Sequence, residues 1–328
     1  MKILLIIIIF LLASSCAFKE TNSDLRERAN FYEDEKVKQG TAIISAMASA
    51  SRRLHDISWR VFLKNKEFCR EETIDAFGLM VGEQADLPNN MRNSYTKVFN
   101  MRPNNIFPVI VSVANGAPAY IAGVKEGDFI ISINGVAVKN DLRSLLKKAA
   151  IKKAIELKLL RGEEHITVQI KSKEICGYAV QPLVSPFPTA YADGSKIFVT
   201  LAALNFIDDD SELAFIIGHE LIHNVLHFKG SKVGEENFLP ISINDKPVIR
   251  KIGDVFVWES SSKESEADIE GLELSSIAGY DPFSAANYFR RLSIYLPELI
   301  EDSFFRVHPG NARRALDLEQ KARELLVD

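Results

Sequence analysis

The chain has 328 residues, a formal net charge of −4, and 26% charged against 47% hydrophobic residues. That length allows about two domains. The nearly balanced charge carries no basic cluster, so no nucleic-acid partner is expected, and the composition is that of a globular protein.

The N-terminus reads Met1-Lys2, an apolar run from Ile3 to Ala13, then Ser14-Ser15-Cys16. The run falls short of the roughly 20 residues that span a bilayer. One basic residue, a short apolar stretch and small residues before a cysteine read as a secretory signal, residues 1–15. Leu12-Ala13-Ser14-Ser15-Cys16 resembles a bacterial lipobox, with Ala13 where Leu is commoner. The resemblance implies lipidation at Cys16. With Ala17 and not Asp after it, the expected address is the cell envelope, on the outer membrane facing the periplasm. The other reading is an ordinary cleaved signal with a chance cysteine. Lys19 to Asn30 is charged and lacks apolar periodicity, which makes 16–35 a tether. Residues 36–72 form an N-terminal helical segment, with Ile44, Met47, Leu54, Ile57, Val61 and Phe62 recurring on one stripe from Thr41 to Phe68. With Cys16 acylated, Cys69 and Cys176 remain as an even pair in an oxidising compartment. They form either a disulfide or two separate buried thiols.

Residues 73–172 read as a β-rich unit. Leu87 to Pro108, rich in Asn and Pro, is expected to be a loop. Val109, Val111 and Val113 alternate as a strand, and Asn134-Gly135 between apolar runs is a hairpin turn. Leu142, Leu145 and Leu146 mark a short helix. Ile155, Leu157 and Leu159 alternate outward, Gly162 turns, and Ile166, Val168 and Ile170 alternate back. The run Asn115-Gly116-Ala117-Pro118-Ala119, with Glu126-Gly127-Asp128 and Asn134-Gly135 after it, resembles a PDZ domain of the kind attached to bacterial proteases. The resemblance implies binding of the C-termini of other proteins by strand addition, with Phe77-Gly78-Leu79 as the apolar-Gly-apolar carboxylate loop. A PDZ fold that serves only as a spacer is the other reading.

The last unit, 177–328, carries the chemistry. His219-Glu220-Leu221-Ile222-His223 reads H-E-x-x-H within an apolar run from Leu213 to Leu226, preceded by Asp208, Asp209, Asp210 and Ser211 as capping residues. Residues four apart on a helix differ by about 40° and rise about 6 Å. His219 and His223 therefore share a face and suit one metal ion, with Glu220 beside it as a general base. His227 lies about 12 Å along the axis from His219, too far to share the ion, and is given a structural or supporting role. After the N-cap candidates Ser260 to Ser262, Glu264 and Asp268 are i, i+4 on another helix, while Glu266 points elsewhere. Glu264 is the expected third ligand. Asp268 is expected to accept from a ligand imidazole. Residues 229–259, broken by Gly and Pro, are expected to be a flap.

H-E-x-x-H, then Glu264-x-Glu266-Ala267-Asp268-x-x-Gly271-Leu272, Ala278-Gly279-Tyr280-Asp281-Pro282 and His308-Pro309 resemble the HtpX-like zinc metalloendopeptidases of peptidase family M48. That family also holds the CAAX prenyl proteases. The resemblance implies an α+β fold: a mostly helical zincin-type domain with a small sheet, beside the PDZ-like unit. It implies one Zn²⁺ per chain on His219, His223 and Glu264, and Glu220 as base. It further implies His308 and Arg314 as groups that stabilise the oxyanion or gate the site. The β-branched, alternating segment Ile197, Phe198, Val199 and Thr200 stands where the family has an edge strand, and is expected to hold substrate. The expected substrates are unfolded or misassembled envelope proteins. The rival is a protein-binding, chaperone-like lipoprotein adaptor with a structural or latent zinc site. A general base such as Glu220 would have no use there.

Overall fold

The computed structural model describes residues 22–101, 107–138, 141–228, 261–301 and 310–327. The signal segment, Cys16, the expected flap and His308 lie outside these. The chain is α+β, and its first element is one helix, α1, Asn22–Lys64, of 43 residues. The segment expected to be a charged tether is thus helical from Asn22 onward. Its residues are good helix formers, and pairs such as Lys36 with Glu33 at 2.8 Å bridge one turn. It carries no stripe because residues 25–36 are exposed, with no core among the described residues to pack on. From Ile44 the stripe begins, and Ile44, Met47, Leu54 and Val61 are fully buried.

After α1 the polypeptide enters a second unit through a narrow neck. Strand β1, Thr73–Ala76, pairs antiparallel with β8, Lys173–Cys176. Beside this ladder Cys69 and Cys176 form a disulfide with Cα atoms 5.5 Å apart. Between the two strands lies a six-stranded sheet. It contains β2 (Leu79–Gly82), β3 (Val109–Val113), β4 (Phe129–Ile133), β5 (Val136–Ala137), β6 (Ala154–Arg161) and β7 (Glu164–Lys171). The order is β2-β3-β4-β6-β7, with β5 on β4, so β2 is an outer strand. Asn134 and Gly135 join β4 to β5 with φ of 51° and 77°, as a tight primed turn requires. Asp128 is fully buried and is met by Arg161, whose Nε and Nη2 donate to its two oxygens, both at 2.7 Å.

Part of the stretch expected to be a loop is helical: α2 spans Arg92–Val98. Its Tyr95 stacks near Phe99, with centroids 4.6 Å apart, and packs with Ile44 and Met47 of α1 in a small core. A helix of 7 residues leaves too few turns for a periodic signal among Asn and Pro. The helical turn α3, Pro118–Ile121, and helix α4, Leu142–Ile151, complete the unit.

The third unit begins with a three-stranded sheet of β9 (Ala179–Leu183), β10 (Ala190–Ala192) and β11 (Lys196–Thr200), ordered β10-β11-β9. Helices α5 (Leu201–Phe206), α6 (Asp210–Ile222), α7 (Ser261–Ile277), α8 (Ser284–Tyr295) and α9 (Asn311–Leu325) follow. Asp209 caps α6, its side chain accepting from Ser211 N at 2.9 Å. From Glu212 to Ile222 every residue of α6 is buried, which makes it the central helix. No helix among the described residues is long and apolar enough to cross a membrane.

Candidate metal centre

Helices α6 and α7 cross at two glycines. A β-carbon on Gly218 would lie 2.5 Å from the Gly271 carbonyl oxygen, and one on Gly271 would lie 2.6 Å from His219 N. Only hydrogen fits at either position, so the backbones touch there. This contact lies next to His219, and it brings the α7 carboxylates onto the histidine face of α6.

His219 Nε2 and His223 Nε2 are 3.0 Å apart. Glu264 Oε2 lies 3.6 Å from the first, and its Oε1 lies 3.5 Å from the second. Two ligands on one tetrahedral zinc, with bonds of about 2.0–2.1 Å, should be about 3.3 Å apart. The carboxylate thus reaches each imidazole with a different oxygen, and one ligand atom from each of the three residues lies within 4.8 Å of the others, in a buried place. The residues fit a zinc ion. Glu220 is buried beside them.

Each imidazole has backing. Asp268 Oδ1 lies 3.0 Å from His219 Nδ1, although the N–H direction is poorly aligned with it. Burial pushes the Asp268 carboxyl up, but the Arg314 guanidinium and His219 outweigh it and hold it below the usual carboxylate range. Arg314 donates from Nε and Nη2 to both oxygens of Asp268 at 2.6 Å, with its plane 4.1 Å from the Phe289 ring. This adds a second task to the expected one of stabilising the oxyanion or gating the site. Both of these donors are committed to Asp268, so Arg314 is a positioning residue.

The second imidazole is backed differently. After Ile222 the helix widens into a π-helical turn, His223–His227, an element found mostly at functional sites. His227 Nδ1 comes within 2.9 Å of His223 Nδ1, and its Nε2 within 3.1 Å of Glu266 Oε2. With His223 Nε2 turned to a metal, its Nδ1–H donates to His227, whose Nε2–H donates to Glu266. Glu266 points away from the Glu264 face, and that direction is what carries it to His227.

The substrate-strand expectation is overturned in its geometry. β11, with Ile197, Phe198, Val199 and Thr200, is the central strand, antiparallel to β10 and parallel to β9. Its backbone edges are already taken on both sides. Asn224 fixes the β10–β11 hairpin to the end of the catalytic helix, accepting from Gly194 N at 2.7 Å and donating to Lys196 O at 3.2 Å. Reasoning from sequence missed Asn224, although it directly follows the second histidine. It also missed Tyr288 of α8. Burial, then the charges of Glu220, Glu212 and Asp268, push that phenol up to about 12 against the opposing pull of Arg314. Phe77-Gly78-Leu79 lies where the backbone enters β2, with Gly78 at φ 76°.

Comparison with known proteins agrees with this construction. The model of the PDZ domain matches residues 91–172, and that of peptidase family M48 matches 161–234, which holds His219, Glu220 and His223. The two matches lie one after the other in the same chain, meeting at residues 161–172. It is 27% identical over 148 residues to the mitochondrial metalloendopeptidase OMA1 of Arabidopsis thaliana, covering 43% of this chain and 30% of that one. It is 27% identical over 85 residues to the putative serine protease HhoA of Synechocystis, covering 23% and 22%. The chain therefore spans less than a third of the length of either relative. Among solved structures, the HtrA3 PDZ domain bound to a phage-derived ligand aligns at 17% identity and a TM-score of 0.25, over 32% of this chain and 91% of that one.

Proposed function

We propose that the protein is a zinc-dependent metalloendopeptidase of the cell envelope that cleaves unfolded or extended proteins. The observation that carries this reading is the triangle of His219, His223 and Glu264 with Glu220 buried beside it. Zinc held there would supply Lewis acidity to the scissile carbonyl and the attacking water. Glu220 takes the proton of that water and passes it to the leaving amine. Asp268 and Arg314 hold the His219 tautomer, and Glu266 with His227 holds that of His223, so both Nε2 lone pairs stay directed at one point. An extended substrate pairs along β10, the outer strand, which lies against α6.

In the same reading the signal spans 1–15, the PDZ-like unit 73–172 and the peptidase 177–328, with the helix Asn22–Lys64 between the signal and the PDZ-like unit. Cys16 carries a lipid on the outer membrane. The Cys69–Cys176 pair supports an oxidising compartment. Mass spectrometry of the mature N-terminus checks the anchor: an unmodified Cys16 removes it.

The test of activity is incubation of the purified protein with an unfolded β-barrel protein. Cleavage is expected, and it stops with a chelator and returns with zinc. Cleavage indifferent to the chelator would overturn the metal mechanism.

A further inference from the structure

A cavity of about 80 Å³ lies where the PDZ-like unit, α1 and the start of the β9 sheet meet. One wall is Phe77 to Val81 with Leu146 of α4. A second is the α1 face with His55, Ser58, Trp59 and Phe62, and a third is Ile175 with Tyr178 to Gln181. The lining is mostly apolar.

The cavity runs along β2, which does not look like an outer strand. Both β2 and β7 stand at the ends of their sheet, where a strand usually shows unpaired backbone groups to water. β7 is mostly exposed, whereas all four residues of β2 are buried. At the start of β2 the Trp59 indole Cη2 lies 3.6 Å from where a β-carbon on Gly78 would sit, and at its end the Tyr95 hydroxyl leaves room only for hydrogen on Gly82. The space left along the strand, about 80 Å³, is far below the roughly 300–1,000 Å³ of a ligand pocket. It suits a few waters, and not an extended chain of several residues. Strand addition at β2 is therefore blocked in this state.

The cover is fastened unequally on its two sides. Arg52, His55, Asp56 and Trp59 stand at i, i+3, i+4 and i+7 of α1 and share one face. Arg52 Nε meets Glu126 Oε2 at 2.9 Å, and His55 Nδ1 lies 2.9 Å from Ser112 Oγ. Asp56 accepts from Asn115 N at 2.8 Å and from its Nδ2 at 2.9 Å. The Arg52–Glu126 and Asp56–Asn115 contacts are open to water, which can replace them at small cost. Toward the peptidase body α1 is held by Arg53, which donates to the Ile207 carbonyl at 2.6 Å, and by buried Asn65, which donates to the Leu274 carbonyl at 2.9 Å.

We propose that α1 and the segment 178–181 form an autoinhibitory cover over β2, latched by Arg52 and Asp56, and that an extended partner chain gains the β2 edge only when the PDZ-like unit tilts away from them. The packing of Ile44 and Met47 on Tyr95 and Val111, further along α1, stays made and serves as the pivot. The inference rests on the packing around β2, and not on the metal chemistry.

The test is hydrogen exchange of the whole protein treated with chelator, so that failure of the peptidase reading does not affect it. In wild type, residues 79–82 should have protection factors at least about tenfold above those of residues 164–171, the other outer strand. Arg52→Ala with Asp56→Ala removes the two open contacts and leaves the cavity lining intact. It should lower protection at 79–82 by about tenfold, with residues 155–160 of β6 unchanged. A hexapeptide ending in Val-Leu, added in excess, should restore protection at 79–82 in the double variant and leave wild type as it was. Equal protection of the two outer strands in wild type overturns the proposal without any variant. So does unchanged protection at 79–82 in the double variant, a loss spread over the whole sheet, a peptide that fails to protect the double variant, or one that protects wild-type β2 equally.

Discussion

The metal centre and the cavity beside Trp59 are both buried places with polar groups, and they differ in how those groups end. In the metal centre the side chains are backed by others behind them, although His219 Nδ1 is poorly aligned with Asp268. Arg314 holds Asp268, which meets His219, and Glu266 meets His227, which meets His223. What converges at the middle is lone pairs, so the place suits a cation. In the cavity the indole donor of Trp59 has no partner, and the rest of the lining is mostly apolar. Burial raises the cost of an unmatched group in both. The sign of the mismatch tells which ligand would relieve it.

The widest separation between the two sites should come from Glu220→Gln. The amide has the carboxylate's size and cannot take the proton. Peptide hydrolysis should fall by about two to four orders of magnitude, with zinc content and fold unchanged. Loss of zinc as well would show that Glu220 supports the metal and does more than take a proton. Steady-state cleavage and metal analysis read the two outcomes.

Next in size is the disulfide, which closes a loop across a sequence separation of 107 residues. A Cys69→Ser, Cys176→Ser double variant should unfold more easily by about 4 kcal/mol on the loop-entropy account. Denaturant titration of both forms measures it. An identical midpoint would mean that the β1–β8 ladder alone fixes the neck.

A smaller effect belongs to the metal centre's own backing. His227→Ala removes the link between His223 and Glu266 and should weaken zinc binding by about 10–100-fold. Competition against a chromogenic chelator measures it, and Glu266→Gln should shift affinity the same way but less. Undiminished affinity in His227→Ala would leave the π-helical turn without a role at the metal.

The smallest effect lies in the cavity wall. Burial pushes the His55 imidazole down to about 4 from 6.5, and although part of its surface is accessible, that surface lines the cavity. The folded state thus refuses a proton that the unfolded state takes up below about pH 6.5. Stability should decline as pH falls from there toward 4. His55→Gln, which can still meet Ser112, should flatten that slope in unfolding titrations at pH 7, 5.5 and 4.5. A variant slope equal to that of wild type would remove His55 from the acid response.

These residues also mark where the sequence could be read and where it could not. His219, Glu220 and His223 are legible because helix geometry alone puts positions four apart on one face. Glu264 and Asp268 are legible for the same reason on α7. Their place beside the α6 histidines was expected from the motif, but the contact that brings them there was not, because Gly218 touches Gly271 across 53 residues of sequence, and spacing within either helix says nothing of that. β11 announced itself as a strand by alternation, but alternation does not count neighbours. Its parallel partner β9 reads Ala-Val-Gln-Pro-Leu, and Pro182 hides it, since proline is rare away from edges. The outward half of α1 was misread because an exposed helix needs no stripe.

The neck carries one more consequence. Cys69 and Cys176 stand 5.5 Å apart at their Cα atoms, so the polypeptide leaves the helical body and returns to it almost at the same point. The lobe between them is an insertion with a single stem. Cutting it out at the stem would bare Ile44 and Met47 of α1, which pack against Tyr95 and Val111 within it, so any module put in its place would have to cover that stripe.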